Sequence, residues 1–171
     1  YPVLKQMIRE YPDQIKAGVE KITDYMIQVV KAVMGEDRAD GIYLCTRQCT
    51  MDEEAVKLLI NPSEIRLIKA ANEICTYNAA HICDFDGKQT DMALYAEYPV
   101  KVFNWAVKTE GLKLSEGREI FGGRTVMGGF DMNKDGVLYT GPREAIKAET
   151  EKILADAGRQ HVILGADCTV D

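Results

Sequence analysis

The sequence predicts an α/β fold, a parallel β-sheet whose strands alternate with helices. Three observations lead to it. Strand-like and helix-like stretches alternate five times along the 171 residues. The strand stretches are near-continuously apolar, as strands covered on both faces are. Each one also runs out into polar or small residues: Thr46-Arg47, His81-Ile82-Cys83-Asp84, Asn104-Trp105, Gly128-Gly129-Phe130-Asp131 and Asp167-Cys168. In a parallel α/β fold these ends share one face, the face on which sites are built.

The first element is an apolar-spaced start (Val3, Leu4, Met7, Ile8), after which Pro12 biases Tyr11 out of the helical region and Asp13 can cap the next helix. From Gln14 to Met34 the residues Ile15, Val19, Ile22, Met26, Val29, Val30 and Val33 recur at helical spacing, and Gly35-Glu36-Asp37 ends the run. Asp40 to Cys45 reads as a strand, and the polar stretch Thr46 to Thr50 comes after it. Residues 52–60 read as a helix broken by Asn61-Pro62, and Ser63 and Glu64 open a second one that reaches Asn72. The stretch from Ile74 to Cys83 is the central strand. Thr90 to Glu97 is a short helix, Val100 to Trp105 a strand, Leu112 to Phe121 a helix and Thr125 to Gly129 a strand. A helix starting at Pro142-Arg143-Glu144 runs to Ala157, Gly158 ends it, and His161 to Cys168 is the last strand.

Composition narrows the function. A hydrophobic share of 46% over this length is enough for one domain with a real core. A net charge of −6 argues against nucleic acid or an anionic membrane as partner. No apolar run approaches the roughly 20 residues that span a bilayer. Five scattered cysteines do not make a disulfide framework, so a reducing cytoplasm is the expected setting.

The chemistry concentrates at His81-Ile82-Cys83. On a strand, residues two apart share a face, so the imidazole and the thiol can converge on one metal. Taken alone, a His-x-Cys pair is more often a buried thiol beside a turn-capping histidine. Cys168 changes that reading, because the parallel topology carries it to the same rim. One nitrogen and two sulfurs suit zinc and leave a fourth position open, the mark of a catalytic centre. Other candidates weigh less. Cys45 and Cys49 lack a second pair nearby and read as a buried strand cysteine and a loop cysteine. The run Asp131 to Gly136 resembles the start of a calcium loop, but Pro142 stands where that loop needs its glutamate, which leaves a polar turn. Gly122-Gly123 and Gly128-Gly129 do not open a nucleotide fingerprint, and Gly128-Gly129 is expected to give close packing at a strand end. His161, at the opposite end of its strand, is read as structural.

Several stretches together resemble the uroporphyrinogen decarboxylase superfamily: Asn61-Pro62, His81-Ile82-Cys83, Tyr98-Pro99-Val100, Asn104-Trp105, Val126-Met127-Gly128-Gly129, Leu138-Tyr139-Thr140-Gly141 and Ile163 to Cys168. The resemblance implies a (β/α)8 TIM-type barrel, of which residues 1–171 form one partial domain, the C-terminal half or slightly more. With Cys168 where the decarboxylases carry a histidine, the chain is similar to the zinc-dependent cobamide methyltransferases. That branch implies zinc on His81, Cys83 and Cys168, and methyl transfer between a corrinoid and a thiol. Asn104, Trp105 and Asp131 would line the pocket. The alternatives are a porphyrinogen decarboxylase, for which Arg47 is the one candidate for a propionate, and a non-catalytic metal- or corrinoid-binding module. Expected partners are a small thiol or tetrapyrrole and a corrinoid protein. Activity is expected of a complete barrel, and the isolated chain is expected to self-associate.

Overall fold

The computed structural model describes residues 2–35, 39–47, 51, 53–83 and 89–170. The expected helix stop at Glu36-Asp37, the loop cysteine Cys49 and the turn after Cys83 at Asp84 lie outside the described residues. The chain forms two compact units, interleaved along the sequence.

The first unit is helical. Helix α1 (Pro2–Glu10) leads into α2 (Pro12–Gly35), which begins at Pro12, where a missing N–H costs nothing, with Asp13 in its first turn. Thr23, Val30 and Met34 are the buried residues of α2. The apolar positions Ile22, Met26, Val29 and Val33, one helical stripe away, are exposed, Ile22 at 66%. The long helix therefore has two apolar stripes, and the described residues cover one.

The expected break at Asn61-Pro62 does not occur. Helix α3 (Glu53–Ala55) passes through one π-helical turn (Val56–Ile60) directly into α4 (Asn61–Asn72). The Asn61 amide donates to the Val56 carbonyl five residues back. The wider winding makes room where the Pro62 ring would otherwise strike the preceding turn, and Pro62 falls at the start of α4. Beyond α4, Asn78 is fully buried and closes the loop: its side chain donates to Asn72 Oδ1 and the Cys75 carbonyl and accepts from the Ile42 amide, at 2.7 Å each.

The second unit carries the sheet. Strands β1 (Tyr43–Thr46, in this unit from Leu44), β2 (Ala79–Ile82), β3 (Val102–Trp105), β4 (Thr125–Phe130) and β5 (Val162–Ala166) lie side by side in sequence order. The registers from β2 to β5 are parallel, pairing His81 with Asn104 and Asn104 with Met127. This is the α/β alternation that the sequence predicts, an open sheet with the architecture of a partial barrel. The strands are shorter than their apolar runs; β2 keeps only the last part of the stretch from Ile74. The helix expected over 90–97 is one 3-10 turn (Met92–Tyr95), capped by the Asp91 carboxylate on the Ala93 amide at 3.0 Å. Two short helices, α5 (Val107–Glu110) and α7 (Val137–Thr140), join the expected α6 (Leu114–Ile120) and α8 (Arg143–Ala157).

Alternation divides the sheet's two faces. Ala80, Ile82, Phe103, Trp105 and Val126 are almost wholly buried. The rings of Phe103 and Phe121 stack 3.9 Å apart, and the Arg124 guanidinium sits 4.6 Å over Phe103. The Trp105 indole N–H donates to the Leu112 carbonyl at 3.0 Å, which pins the ring against α6. A Cβ added to Gly117 of α6 would fall 2.4 Å from that ring. Gly117→Ala gains about 1 kcal/mol of helix propensity. Forcing a methyl into a ring that cannot retreat costs about 1–3 kcal/mol. The expected outcome is a net loss of stability, measured as a lower urea midpoint with an unchanged slope; a gain would show that the indole can move. No helix among the described residues is long and apolar enough to cross a membrane.

Candidate metal centre

The other face of the sheet carries His81, and its surroundings fix its chemistry. The ring is 4% exposed. Asn104, its register partner on β3, donates through Nδ2 to the Met127 carbonyl at 2.8 Å. That bond turns Oδ1 of Asn104 toward Nδ1 of His81, which donates to it in a short hydrogen bond. The proton is thereby placed on Nδ1, and Nε2 is left as a base. Burial lowers the imidazole pKa, opposed by the Asn104 bond, so the ring is held neutral as a ligand must be.

Nε2 faces sulfur. Cys168 Sγ, just beyond β5, lies 3.2 Å from it. Cys83, one residue past β2, and Cys45 of β1 complete the group: the ligand atoms of Cys45, His81 and Cys83 all lie within 4.8 Å of one another. A tetrahedral zinc with bonds of 2.0–2.3 Å separates its ligand atoms by about 3.3–3.8 Å, so small side-chain movements suffice. Burial, and then Cys168 and Cys45 beside it, push the Cys83 thiol up to about 12. The Cys83 thiol therefore keeps its proton unless a cation lies beside it. The donor set, one neutral imidazole and soft sulfurs, fits zinc.

The rim behind the cluster is held by Asp167, which is fully buried. Its carboxylate accepts from the Gly129 amide at 2.7 Å and the Lys108 amide at 3.3 Å. Burial nevertheless pushes its carboxyl up to about 6, with neighbouring Asp131 adding to the rise. Gly128 and Gly129 have φ of +139° and +102°, and a Cβ on Gly129 would meet Ile153 at 2.8 Å. This is the close packing expected of the pair.

Residues 1–170 match the sequence profile of uroporphyrinogen decarboxylase (URO-D). The chain belongs to the URO-D family. No curated protein sequence matches it. Among solved structures, a methyltransferase from Methanosarcina mazei superposes with a TM-score of 0.75 at 18% identity, over 96% of this chain and 46% of that one. The likeness is one of fold, and the chain spans about half the length of that protein.

On this URO-D scaffold His81 lies 3.2 Å from the Cys168 sulfur, and the group of ligand atoms within 4.8 Å that could hold a metal is His81 and Cys83 with Cys45, not Cys168, as its third member. The residues expected to line the pocket divide. Asn104 is adjacent to His81, but its polar atoms are engaged in bracing the ring. Trp105 lies on the opposite, helix-covered face, as the residue after Asn104 on a strand must. Asp131 comes after β4 on the rim, paired with the Lys108 ammonium at 3.2 Å; burial works to raise its carboxyl, but bonds from Asn133 and Lys108 outweigh it and hold it low. Asp131 also accepts from the Asn133 amide at 3.0 Å, a tight polar turn rather than a calcium loop. Arg47 is exposed immediately after β1.

Cys45 is the residue that sequence reasoning set aside as a buried strand cysteine; it is exposed, because the alternation of β1 buries Thr46 and turns Cys45 to the other face. Its signal was available, since it lies on the strand before His81 in a parallel sheet, but comparison with Cys49 obscured it. The Asn104 brace gives a test: Asn104→Ala should weaken zinc binding by roughly 10–100-fold, the effect of removing an outer-shell partner. Chelator competition on the purified variant reads this directly, and unchanged affinity would show that the bond does not orient the ring.

Proposed function

We propose that this chain carries the zinc centre of a methyltransferase that moves a methyl group between a corrinoid and a thiol. The observation that carries the reading is the orientation of His81, whose Nδ1 is held by Asn104 and whose Nε2 faces the Cys168 thiol, with Cys45 and Cys83 close by, on the rim of a URO-D fold. The fold likeness to a methyltransferase agrees with it.

His81, Cys83 and Cys168 would hold the metal. Zinc bound there would lower the pKa of a ligating thiol and so supply a thiolate nucleophile near neutral pH. Asn104 keeps the His81 lone pair aimed inward and prevents the ring from turning its N–H to the site. Cys83 and Cys168, both half-buried, would serve as thiolate donors to the metal. Asp167 ties the β5 end to Gly129 and the start of α5, which sets where Cys168 emerges. The Lys108 ammonium and Asp131 carboxylate, paired at the β4 end, give the rim a polar flank.

The test is anaerobic incubation of zinc-loaded protein with methylcobalamin and 2-mercaptoethanol. The expected result is zinc-dependent formation of the methyl thioether, seen by mass spectrometry, with loss of the methylcobalamin spectrum. His81→Ala should abolish it. Zinc-loaded protein that forms no thioether above the protein-free rate would defeat this reading.

A further inference from the structure

Apart from the metal centre, the second unit holds a cavity between its helices. Helices α5 and α6 pack against β4, an interior strand of the sheet, and α6 packs against α8. Where they meet, Val107, Leu114, Gly129 and Ile153 make an apolar floor. Leu114 and Ile153 are buried, so this floor is the margin of the helix-covered core. The cavity has a volume of about 220 Å³, more than the roughly 150 Å³ that admits a benzene ring. The charged residues around the floor are not matched alike. Lys108 pairs with Asp131 at 3.2 Å, and Lys152 with Glu149 at 3.5 Å. Lys113, at the start of α6, and Asp156, near the end of α8, complete the lining. Neither has an ionic partner among the described residues. Asp156 accepts from the Ser115 amide at 3.3 Å and the Ser115 hydroxyl at 2.7 Å, neutral donors that fix its position and leave its charge uncompensated.

We propose that this cavity binds a free α-amino acid with a small apolar side chain. Its carboxylate would lie on Lys113, its ammonium on Asp156, and its side chain on the floor made by Val107, Leu114 and Ile153. The argument is one of charge complementarity. A simple anion placed here would face the Asp156 carboxylate, and a simple cation would face the Lys113 ammonium. A ligand that carries both charges answers both residues at once. The apolar body follows from the floor, which offers no polar side chain to satisfy a buried hydroxyl or amide. On the scale set by benzene, a branched group of about four carbons fits. None of these residues is a metal ligand, and the inference does not depend on the zinc reading.

Saturation-transfer NMR on the purified chain tests this, with L-leucine as the probe, because the method reads weak ligands on proteins and oligomers alike. Two analogues isolate the charges: 4-methylpentanoate lacks the ammonium, and 3-methylbutylamine lacks the carboxylate. Leucine should bind more tightly than either, by about fivefold or more, the upper end for an exposed ion pair. Lys113→Met should weaken leucine by a similar factor without weakening 3-methylbutylamine. Asp156→Asn should do the same to leucine without weakening 4-methylpentanoate. Circular dichroism checks folding, and the amide oxygen in Asp156→Asn keeps an acceptor for Ser115. No transfer to leucine would overturn the proposal. Leucine binding that neither variant weakens would place the amino acid elsewhere and overturn it too. An analogue that equals leucine would make this a site for a single charge and overturn the zwitterion assignment.

Discussion

Replacing Cys83 or Cys168 by alanine is expected to remove most of the zinc from the purified protein while leaving its helical circular dichroism nearly intact. Each substitution deletes a donor outright, so the loss in affinity should exceed the roughly 10–100-fold attached to an outer-shell partner such as Asn104. The fold should survive, because neither side chain is part of the helix-covered core. A second consequence has a definite sign. The Cys83 thiol is pushed up to about 12 without a metal, so it is protonated at every ordinary pH, and zinc must expel that proton to bind. Affinity should therefore rise with pH through the neutral range, and zinc uptake in weak buffer should release protons. Metal analysis after gel filtration and an indicator-dye titration check both. Full zinc in both alanine variants, or uptake without proton release, would remove the site.

The chain in isolation is expected to self-associate. Its sheet has two edges, β1 and β5, and an open edge offers a ladder of unpaired N–H and C=O groups to another strand. On β5 the consecutive residues Ile163 and Leu164 are 43% and 38% exposed. Consecutive strand residues point to opposite faces, so each face of this strand is partly exposed. In the helical unit, the uncovered stripe of α2 (Ile22, Met26, Val29, Val33) adds a separate apolar surface. Surfaces of this kind beyond a few hundred Å² rarely stay exposed in monomers. Light scattering on the eluting peak should give masses above the 19.1 kDa of one chain. Leu164→Lys and Met26→Glu separate the two surfaces, and the one that matters should shift the peak toward the monomer. A wild-type monomer that persists at micromolar concentration would show that these faces are tolerated as they stand.

How much of the fold and site is legible in the sequence is clearest from pairs of residues governed by the same rule. Period-two alternation places His81 and Cys83 together, and the parallel topology brings Cys168 to them. The same alternation puts Trp105 on the face opposite Asn104, and applying it there would have removed Trp105 from the pocket. The role of Asn104 was harder to foresee, because it depends on register: only its pairing opposite His81 turns a polar residue at a strand end into a brace. The π-helical turn before Pro62 was not legible, since proline signals a break and nothing local says that a wider turn will absorb it. The helical spacing in α2 reports amphipathicity and is silent on which of its apolar positions are covered.

The contact between His81 and Cys168 carries a further meaning. Strands β2 and β5 are separated by β3 and β4, and in a flat sheet three steps would place them about 14 Å apart. Yet His81 on β2 and Cys168, two residues past β5, meet at 3.2 Å. The sheet therefore curls as a partial barrel does, and the His81–Cys168 contact spans its mouth as a chord. A metal held there would act as a strut that sets the radius of curvature. Distant residues that control the bend then also tune the spacing of the ligands. Gly128 and Gly129 are the first of these, since their positive φ lets β4 turn where the rim closes. Stiffening that bend would open the chord, and the centre would lose its metal without losing any of its ligands.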